Sequence, residues 1–387
     1  MANAKLRKRV SVRRGKASRS PVAAVVLAAG DGTRMLSQIP KVLHALYGKP
    51  LIGHVLDAVG GAGVSRIVVV VGYQSDLVKK QLSHSIQTVV QSRLKGTADA
   101  VLKAKQQLKS FSGDLIVLYG DTPLITPETV RGLLKTHREQ DAACTVLTAT
   151  LREPTGYGRI IRDQIGGLIR IIEDVDATPV EKAIEEINAG AYCFKARKLF
   201  EVLKQIRPAP NGEYYLTDAI ELLVKQGETV ASASTRSVGE FLGINSRADL
   251  ARVQTVMRAR VLEEFMLAGV TIVDPTTTYI YQGAKIGQDT VVFPQTIIEN
   301  DVTIGRGCEI GPFCRLGPGT RLADNVQLGS FVETSGKVQV GSGATIQSGN
   351  LLQGPLKIKA KTVVNHNLKR AQATLGVRRN GHKGETS

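Results

Sequence analysis

Two glycines and two cationic side chains follow the first apolar run of the chain. The segment is Val25-Val26-Leu27-Ala28-Ala29-Gly30-Asp31-Gly32-Thr33-Arg34-Met35, and Pro40-Lys41 comes shortly after it. Glycine lets a backbone approach an anion closely, and the amides of such a loop can face phosphate oxygens. Arg34 and Lys41 carry the charge needed to neutralise a transferring phosphoryl group. The segment lacks the Gly-Lys-Ser/Thr end of a Walker loop, and taken alone it fits a tight turn equally well.

A carboxylate follows a second apolar run in the same way. The run Leu115–Tyr119 ends at Gly120-Asp121. Ligands of open α/β sheets bind beyond the carboxyl ends of the strands. We therefore expect the glycine loop and Asp121 to share one cleft.

The elements that must position these residues alternate between strand and helix from Pro21 to about Asn245. Continuous apolar runs are typical of strands buried on both faces. The pattern predicts βαβ units and therefore an α/β, Rossmann-like domain with a mostly parallel sheet. The segment Thr155–Asp218 is interpreted as an insertion that covers the mouth of the cleft. The predicted strands include Val22–Ala28, Arg66–Val71, Thr88–Gln91, Leu115–Tyr119 and Ala143–Thr150, and the predicted helices include Leu51–Ala62, Thr97 to about Lys109, and Pro127–Glu139.

The pattern changes at Ile280, where an apolar residue begins to recur at every sixth position. A hexapeptide repeat is the signature of a β-helix, in which stacked repeats bury an apolar column. The apolar pattern is interrupted at Thr334 and resumes in the same register at Val340. We expect a short left-handed β-helix, and a homotrimer formed through its flat faces. The repeating residues are Ile280, Ile286, Val292, Ile298, Ile304, Ile310, Leu316, Leu322, Leu328, Val340, Ile346, Leu352, Ile358 and Val364.

These patterns predict the domain boundaries. A basic, disordered tail (1–20) precedes the α/β domain (21–245), a linker helix (246–268) follows, and then come the β-helix (269–364) and a second tail (365–387). The linker has apolar residues at helical spacing, and the tails have little apolar character.

Composition narrows the class of protein. The chain has 387 residues, is 42% hydrophobic and carries a formal net charge of +17. Much of this charge lies in the tails, without interleaved aromatic residues, so we expect no specific nucleic-acid partner. Apolar runs fall short of the roughly 18 residues of a membrane helix, and no signal-peptide core follows the basic start, so we expect a cytoplasmic protein without membrane insertion. The four cysteines lack Cys-x-x-Cys spacing and are expected to be buried thiols.

Several separate motifs together resemble the bacterial bifunctional N-acetylglucosamine-1-phosphate uridylyltransferase/glucosamine-1-phosphate acetyltransferase family. The similarity runs from about Val22 to Gly354. The motifs are the glycine loop with Pro40-Lys41-Val42-Leu43-His44 and Gly48-Lys49-Pro50, Gln91 with Gly96-Thr97, Tyr119-Gly120-Asp121-x-Pro123-Leu124, Gly156-Tyr157-Gly158-Arg159-Ile160, Glu173-Asp174-x-Asp176-Ala177-Thr178, Glu186-Ile187-Asn188-x-Gly190, Gly212-Glu213-Tyr214-Tyr215-Leu216-Thr217-Asp218 and Gly243-Ile244-Asn245-x-Arg247.

The resemblance implies an enzyme that makes UDP-N-acetylglucosamine, a cell-wall precursor, and pyrophosphate from UTP and N-acetylglucosamine 1-phosphate. It also implies a role for each matching residue. Arg34 and Lys41 would hold phosphates, and Asp121 and Asn245 would bind Mg²⁺. The nucleotide-binding residues would be Leu27, Ala28, Ala29, Gly30, Gly32, Gln91, Gly96 and Thr97, and the residues for the sugar phosphate would be Tyr119, Gly120, Gly158, Glu173, Asn188 and Thr217.

The chemistry of these residues fits the implied reaction. Mg²⁺ prefers oxygen ligands and keeps several waters, so one carboxylate and one amide oxygen suit it. The attacking sugar phosphate is already anionic, and alignment with charge neutralisation is then the main task. Taken singly, Asp121 and Asn245 are also good capping residues, and Tyr157 and Tyr215 also fit ordinary packing. We expect His44 to be structural.

The second domain departs from the family pattern. The family has a lysine just after its Val-Glu pair, whereas Thr334-Ser335 follows Val332-Glu333 here. The family's catalytic histidine lies in Gly-His-Leu-x-Tyr, and the counterpart here is Gly349-Asn350-Leu351-Leu352-Gln353. Asparagine is no general base near neutral pH. The later coils that complete the acetyl-CoA site are also expected to be absent, so we predict that acetyl transfer is lost.

Two alternatives stay open at this stage. The first is a nucleotidyltransferase for another sugar 1-phosphate, such as glucose 1-phosphate. The second is a non-catalytic assembly protein that binds a nucleotide sugar through the same residues.

Overall fold

The computed structural model describes residues 20–235, 237 and 239–365. Within them the chain forms two compact units. The first, called the sheet unit, contains residues 20–31, 55–120 and 125–237; the second, called the β-helix unit, contains residues 32–54, 121–124 and 239–365. The boundaries predicted from sequence remain a prediction, and both predicted tails lie outside the described residues apart from Ser20 and Asn365.

The sheet unit is built on a mostly parallel sheet, as the sequence predicts. On its main path the strand order is β9-β5-β8-β4-β1-β2-β3, and β8 runs antiparallel to both of its neighbours. Strand β6 pairs with β8 and β7 to extend the sheet. The strands are β1 (Val22–Ala28), β2 (Arg66–Val71), β3 (Gln87–Val90), β4 (Asp114–Tyr119), β5 (Cys144–Thr150), β6 (Arg159–Arg162), β7 (Leu168–Ile172), β8 (Glu186–Lys195) and β9 (Val230–Ser234).

Helices α1, α3 and α4 lie where the sequence predicts helices between these strands. Helix α1 ends one residue before the predicted end, whereas α3 ends at Ala104, short of Lys109. None of the helices in the described part of the chain is both long enough and apolar enough to cross a bilayer. The helices are α1 (Leu51–Gly61), α2 (Ser75–Lys80), α3 (Thr97–Ala104), α4 (Pro127–Glu139), α5 (Pro179–Lys182), α6 (Ala196–Val202), α7 (Asp218–Lys225) and α8 (Arg247–Leu267).

Helix α8 lies in the β-helix unit and begins with a capping box. The Ser246 hydroxyl accepts a hydrogen bond from the Asp249 amide at 3.2 Å, and the Asp249 carboxylate accepts one from the Ser246 amide at 2.9 Å. Such reciprocal bonds satisfy amides that a helix start leaves without intrahelical partners. The helix buries an apolar side against three short segments of the same unit, and the cluster contains Met35, Leu46, Tyr47, Leu51, Leu124, Ile244, Val253, Met257 and Val261.

The hexapeptide region folds into a β-helix with three parallel sheets, which confirms the predicted repeat. Each strand pairs with the strand one coil further along; for example, Ile280 lies beside Ile298, which lies beside Leu316. One face contains Thr271–Ile272, Val291–Val292, Glu309–Ile310, Gln327–Leu328, Thr345–Ile346 and Val363–Val364. The second contains Tyr279–Ile280, Ile297–Ile298, Arg315–Leu316, Glu333–Ser335 and Leu351–Gln353, and the third contains Lys285–Ile286, Thr303–Ile304, Arg321–Leu322, Val338–Val340 and Leu356–Ile358.

The β-helix has a second inward register that the apolar repeat does not predict. From Thr278 to Asn350 it lies two positions before each residue of the first inward register, Thr334 included, and its side chains are small and buried. Cys308 and Cys314 belong to it, which explains their six-residue separation. The set is Thr278, Ala284, Thr290, Thr296, Val302, Cys308, Cys314, Thr320, Val326, Val332, Val338, Ala344 and Asn350.

Thr334 interrupts the apolar sequence pattern but not the coil. Thr334 lies on the same inward column as Leu316 and Leu352, and it is 2% exposed. Its hydroxyl lies 2.7 Å from the Thr320 hydroxyl and accepts a hydrogen bond from the Gly317 amide at 3.1 Å. A buried hydroxyl is tolerated when it is hydrogen-bonded, so threonine replaces leucine without interrupting the coil.

Truncation of an inward repeat residue should destabilise the β-helix far more than truncation of its outward neighbour. Leu316 is completely buried, so Leu316→Ala should cost about 3 kcal/mol of unfolding free energy. Arg315, on the same strand, is exposed and pairs with Glu299, so Arg315→Ala should cost less than about 1 kcal/mol. Denaturant unfolding monitored by circular dichroism measures both. Equal losses would contradict the inward register.

Candidate active site

The first half of the glycine loop is held at the ends of three neighbouring strands of the sheet unit. The Gly120 amide donates to the Leu27 carbonyl at 2.8 Å, so the ends of β1 and β4 lie side by side. A Cβ added at Gly72, just after β2, would lie 2.3 Å from the Ala29 carbonyl oxygen, so glycine is required there. Gly30 is exposed, and a Cβ on it would meet nothing within 4 Å. The backbone at Gly30 is therefore accessible to a ligand.

The second half of the loop lies in the β-helix unit. Gly32 adopts a left-handed conformation (φ 64°), and a Cβ on it would lie 2.7 Å from the Cβ of Lys41. Glycine therefore permits both the turn and the close approach of Lys41. A short 3₁₀ helix, Thr33–Met35, follows; Met35 is buried and Arg34 is exposed.

Lys41, Asp121 and Asn245 come together in the β-helix unit. The Lys41 ammonium forms an ion pair with the Asp121 carboxylate and donates to the Asn245 side-chain oxygen at 3.1 Å. The Lys41 and Asp121 side chains are 15% and 18% exposed, so the pair is largely shielded from water. The Ile244 amide also donates to the Asp121 carbonyl at 3.0 Å, which fixes the backbone beside Asn245. Two oxygen donors of different kinds thus point at one cation.

The donor set at this position fits a divalent cation. One carboxylate and one amide oxygen leave most positions of an octahedral Mg²⁺ site to water and phosphate, which is the usual arrangement for this ion. Over the described residues, His, Cys, Asp and Glu side chains form no group of three that could hold a metal. A divalent cation bound by Asp121 and Asn245 would therefore take its remaining ligands from water and phosphate.

His44 lies near this group and has a structural environment. It is 5% exposed, and its Nδ1 lies 3.2 Å from an Arg247 guanidinium nitrogen. Burial lowers the pKa of His44, and the charge of Arg247 lowers it further. The ring is therefore neutral at physiological pH and accepts from Arg247.

The sheet unit places Gln91, Gly96 and Thr97 around one turn. The Gln91 amide nitrogen donates to the Gly96 carbonyl at 3.1 Å and to the Asp99 carboxylate at 2.8 Å. Gly96 has φ 100°, and a Cβ there would lie 2.5 Å from the Tyr214 carbonyl oxygen. Thr97 begins helix α3 and accepts a hydrogen bond from the Leu216 amide at 2.9 Å.

A second group in the sheet unit contains Gly158, Glu173, Asn188 and Thr217. The Thr217 hydroxyl donates to the Glu173 carboxylate at 2.8 Å. The backbone amide of Asn188 donates to the Gly158 carbonyl at 2.9 Å. A Cβ on Gly158 would lie 3.0 Å from Ile171 and 3.6 Å from the Glu173 Oε2, so the backbone approaches Glu173 closely. The structure therefore brings together four of the six residues that the resemblance assigns to the sugar phosphate.

The side chain of Asn188 is oriented by a bulge in β8. Its pairing with β5 shifts register between Asn188 and Tyr192, and Gly190 has φ 73° within this stretch. A Cβ on Gly190 would lie 3.0 Å from the Tyr119 ring. The Asn188 side chain donates to the Tyr192 hydroxyl at 2.6 Å and accepts from the Gly190 amide at 3.1 Å. Tyr119 and Gly190 therefore border the position of Asn188.

Sequence reasoning assigned no role to Arg159, Tyr192 or Asp99. Arg159 is 2% exposed, which is rare for arginine, and Tyr192 is fully buried. A signal for Arg159 was available in its position beside Gly158, inside a motif that the resemblance already used. Asp99 lies two residues into α3 and gave no such signal.

Two residues at which the second domain departs from the expected family pattern, Thr334 and Asn350, lie inside the β-helix. Asn350 is 2% exposed, and its side-chain nitrogen donates to the Gln347 carbonyl at 2.7 Å. Thr334 is bonded internally, as described above. Both side chains are therefore withdrawn from solvent.

Two family models match this chain, one over part of the α/β region and one over part of the hexapeptide repeats. Residues 24–186 match the family model of the MobA-like NTP transferase domain, and residues 283–318 match that of the bacterial transferase hexapeptide (six repeats). Similar proteins named "Bifunctional protein GlmU" occur in Halalkalibacterium halodurans, Pelotomaculum thermopropionicum and Geobacillus thermodenitrificans. They are 47%, 48% and 46% identical to this chain over 286, 276 and 286 residues.

The similarity and the order of the two domains fit a GlmU-type family.

The resemblance based on motifs and the predicted fold class are thereby confirmed. The alignments cover 74%, 71% and 74% of this chain but 63%, 60% and 62% of the three GlmU proteins, so the chain spans less than two thirds of their length. The NTP transferase match includes the glycine loop, Gln91, Asp121 and Glu173 but ends before Asn188. The roles of individual residues in this GlmU-type chain stay predictions.

The buried carboxyl group of Glu173 should make stability depend on pH. Burial, the largest cause, raises the pKa of Glu173 above 4.5, and nearby carboxylates add to it, although the Thr217 hydroxyl opposes them. A raised folded-state pKa means that stability is full below the unfolded pKa and falls as pH rises through the folded pKa. Glu173→Gln should therefore be more stable than the wild type at neutral pH and equal to it near pH 4.

Thermal unfolding across this range measures the effect, and Glu181→Gln is the matched control. Hydrogen bonds from Thr178 lower the pKa of Glu181, so its stabilisation is present above pH 4.5 and is lost on acidification. Its replacement should thus act in the opposite direction. A Glu173→Gln protein with the pH profile of the wild type would contradict the raised pKa.

Proposed function

We propose that this chain transfers a uridylyl group from UTP to N-acetylglucosamine 1-phosphate and releases pyrophosphate. The observation that carries the proposal is the convergence of Lys41, Asp121 and Asn245 on one position, a cation held by one carboxylate and one amide oxygen. The GlmU relatives and the NTP transferase match support the same class of reaction. Because the chain covers less than two thirds of those relatives, its activity is argued from its own residues.

The phosphate chemistry needs charge and alignment. An oxygen of the sugar 1-phosphate attacks the α-phosphorus of UTP, a new P–O bond forms there, and the bond to the β-phosphate oxygen breaks. The attacking oxygen is already anionic, so no general base is required. Arg34 and Lys41 would neutralise the phosphates, and Gly32 permits the close approach of Lys41. Mg²⁺, held by Asp121 and Asn245, would supply further neutralisation of the phosphate charge when bound.

The base and the sugar are assigned to the sheet unit. The amide nitrogen of Gln91 is committed to Gly96 and Asp99, so Gln91 offers its oxygen to a ligand. The N3–H of uracil is a donor of the matching kind. Glu173 and Asn188 supply acceptor and donor groups suited to sugar hydroxyls and an acetamide. Leu27, Ala28 and Ala29, which lead into the glycine loop, are proposed to contact the nucleotide. Tyr119 and Gly120, at the end of β4, are proposed to contact the sugar phosphate.

The proposal extends to assembly and location. The three sheets of the β-helix provide flat, repeated faces, which favours a homotrimer over a monomer. We also propose a cytoplasmic location, where UTP is available. Size-exclusion chromatography with light scattering tests the proposed homotrimer.

Uridylyl transfer should be detected as pyrophosphate release from UTP with Mg²⁺ and N-acetylglucosamine 1-phosphate. Asp121→Ala should reduce kcat/KM by about 100-fold, since a charge that neutralises the transition state is lost with the metal ligand. The matched control is Asp301→Ala in the same unit, where Asp301 pairs with Arg321 at 2.6 Å on the β-helix. That variant should retain full activity.

A substrate panel decides between the proposed sugar and its alternatives. Equal turnover of glucose 1-phosphate would overturn the assignment of the acetamido sugar, and full activity of Asp121→Ala would overturn the metal assignment. Binding of UDP-N-acetylglucosamine without turnover of any sugar phosphate would instead support a non-catalytic protein.

Acetyl transfer from acetyl-CoA to glucosamine 1-phosphate should be absent. Asn350 stands where the family has its catalytic histidine, but its side chain lies inside the coil and has no basic atom. Asn350→His should therefore fail to create activity, because the imidazole would also lie inside. Release of free thiol from acetyl-CoA is the measurement. Activity in either protein would show that another residue performs this chemistry.

A further inference from the structure

We propose that Arg159 is a positioning residue for the residues of the sheet unit that would bind the sugar phosphate. Its guanidinium links the segment that contains Gly158 to the segment that contains Glu173. This inference rests on the proposed function. Arg159 donates to the Tyr157 carbonyl, to the Asp174 carboxylate at 3.0 Å and to the Lys182 carbonyl at 3.3 Å. The side chain is 2% exposed, so these partners replace water at its two terminal nitrogens, whereas the buried Nε has no partner among the described residues.

The partners of Arg159 flank the residues that would contact the sugar. Tyr157 precedes Gly158, so the bond to its carbonyl fixes the peptide that joins them. Asp174 follows Glu173, so the ion pair fixes the end of β7 from which Glu173 projects. The Lys182 carbonyl lies at the end of α5, which closes the segment between Glu173 and β8.

The segments that contain Gly158 and Glu173 approach each other closely, so their relative position must be fixed. The Gly158 carbonyl accepts from the Asn188 amide at 2.9 Å, and a Cβ on Gly158 would lie only 3.6 Å from the Glu173 Oε2. A small shift of either segment would therefore move an acceptor relative to Asn188. Directional hydrogen bonds to a sugar are sensitive to shifts of this size.

Arginine is suited to this task and lysine is not. The planar guanidinium has several N–H donors in fixed directions, whereas an ammonium is a compact charge on a flexible stem. Lysine at position 159 would keep the positive charge beside Asp174 but could not reach all three oxygens in one geometry. Arg159→Lys thus separates positioning from charge.

The test compares KM values for the two substrates. Arg159→Lys and Asp174→Asn should each raise KM for N-acetylglucosamine 1-phosphate by about tenfold, because the sugar contacts are displaced, and should change KM for UTP less than about twofold. The double variant should lose no more than the larger single loss, because both substitutions remove one interaction.

Arg162 provides the matched control on the same strand. It forms a comparable pair with Glu186, at 2.6 and 2.8 Å, at the other end of β6. Arg162→Lys should leave both KM values unchanged. Thermal unfolding of each variant shows that the assays are made on folded protein, and Arg159→Lys retains the positive charge beside the half-buried Asp174 carboxylate.

The outcomes separate this inference from the proposed function. A wild-type protein without uridylyl transfer would overturn the proposed function itself. An active wild type, together with an Arg159→Lys protein that unfolds earlier but keeps its KM for the sugar phosphate, would show that Arg159 serves stability alone and would overturn the inference. An equal rise in both KM values would overturn it as well.

Discussion

The ammonium of Lys41, held by one carboxylate and one amide oxygen, is the interaction on which the proposed reaction centre depends. Its partners lie 80 and 204 residues further along the chain. They meet because the apolar neighbours of each polar residue pack into one cluster with α8. These neighbours are Met35, Leu46, Leu124 and Ile244. Burial of apolar side chains has no preferred direction, yet here it brings two polar groups within hydrogen-bond distance of Lys41.

The sequence was sufficient to predict the β-helix because its repeat is a local property. An apolar residue at every sixth position needs no knowledge of distant contacts, and the strands of the structure follow that spacing. The second inward column was missed because threonine, cysteine and alanine carry little hydrophobic signal. Thr334 shows the same limit, since its burial depends on a hydroxyl partner, Thr320, that lies one coil earlier. Such a partner becomes visible only when the coils are stacked.

The candidate site was predictable in its residues but not in its contacts. Motifs in the chain indicate Asp121 and Asn245, yet no local pattern shows that Lys41 lies between their oxygens. Arg159 was overlooked for a related reason. Arginine is usually exposed, and its burial here depends on Asp174 and on the Lys182 carbonyl, neither of which is adjacent in sequence.

The two groups of proposed binding residues also differ in how they are held, and their chemistry explains why. Neutral hydrogen bonds to a sugar depend on direction, and Asn188 is fixed at both ends of its amide, by Tyr192 and by the Gly190 backbone. Burial raises the pKa of Tyr192 far above its usual value, so its hydroxyl remains neutral and the arrangement is independent of pH in the physiological range. Charge neutralisation of a phosphate tolerates more variation in geometry, and an exposed side chain such as Arg34 is adequate for it. A chain that must recognise an uncharged sugar and a polyanion therefore needs buried, bonded amides for the first and accessible cations for the second.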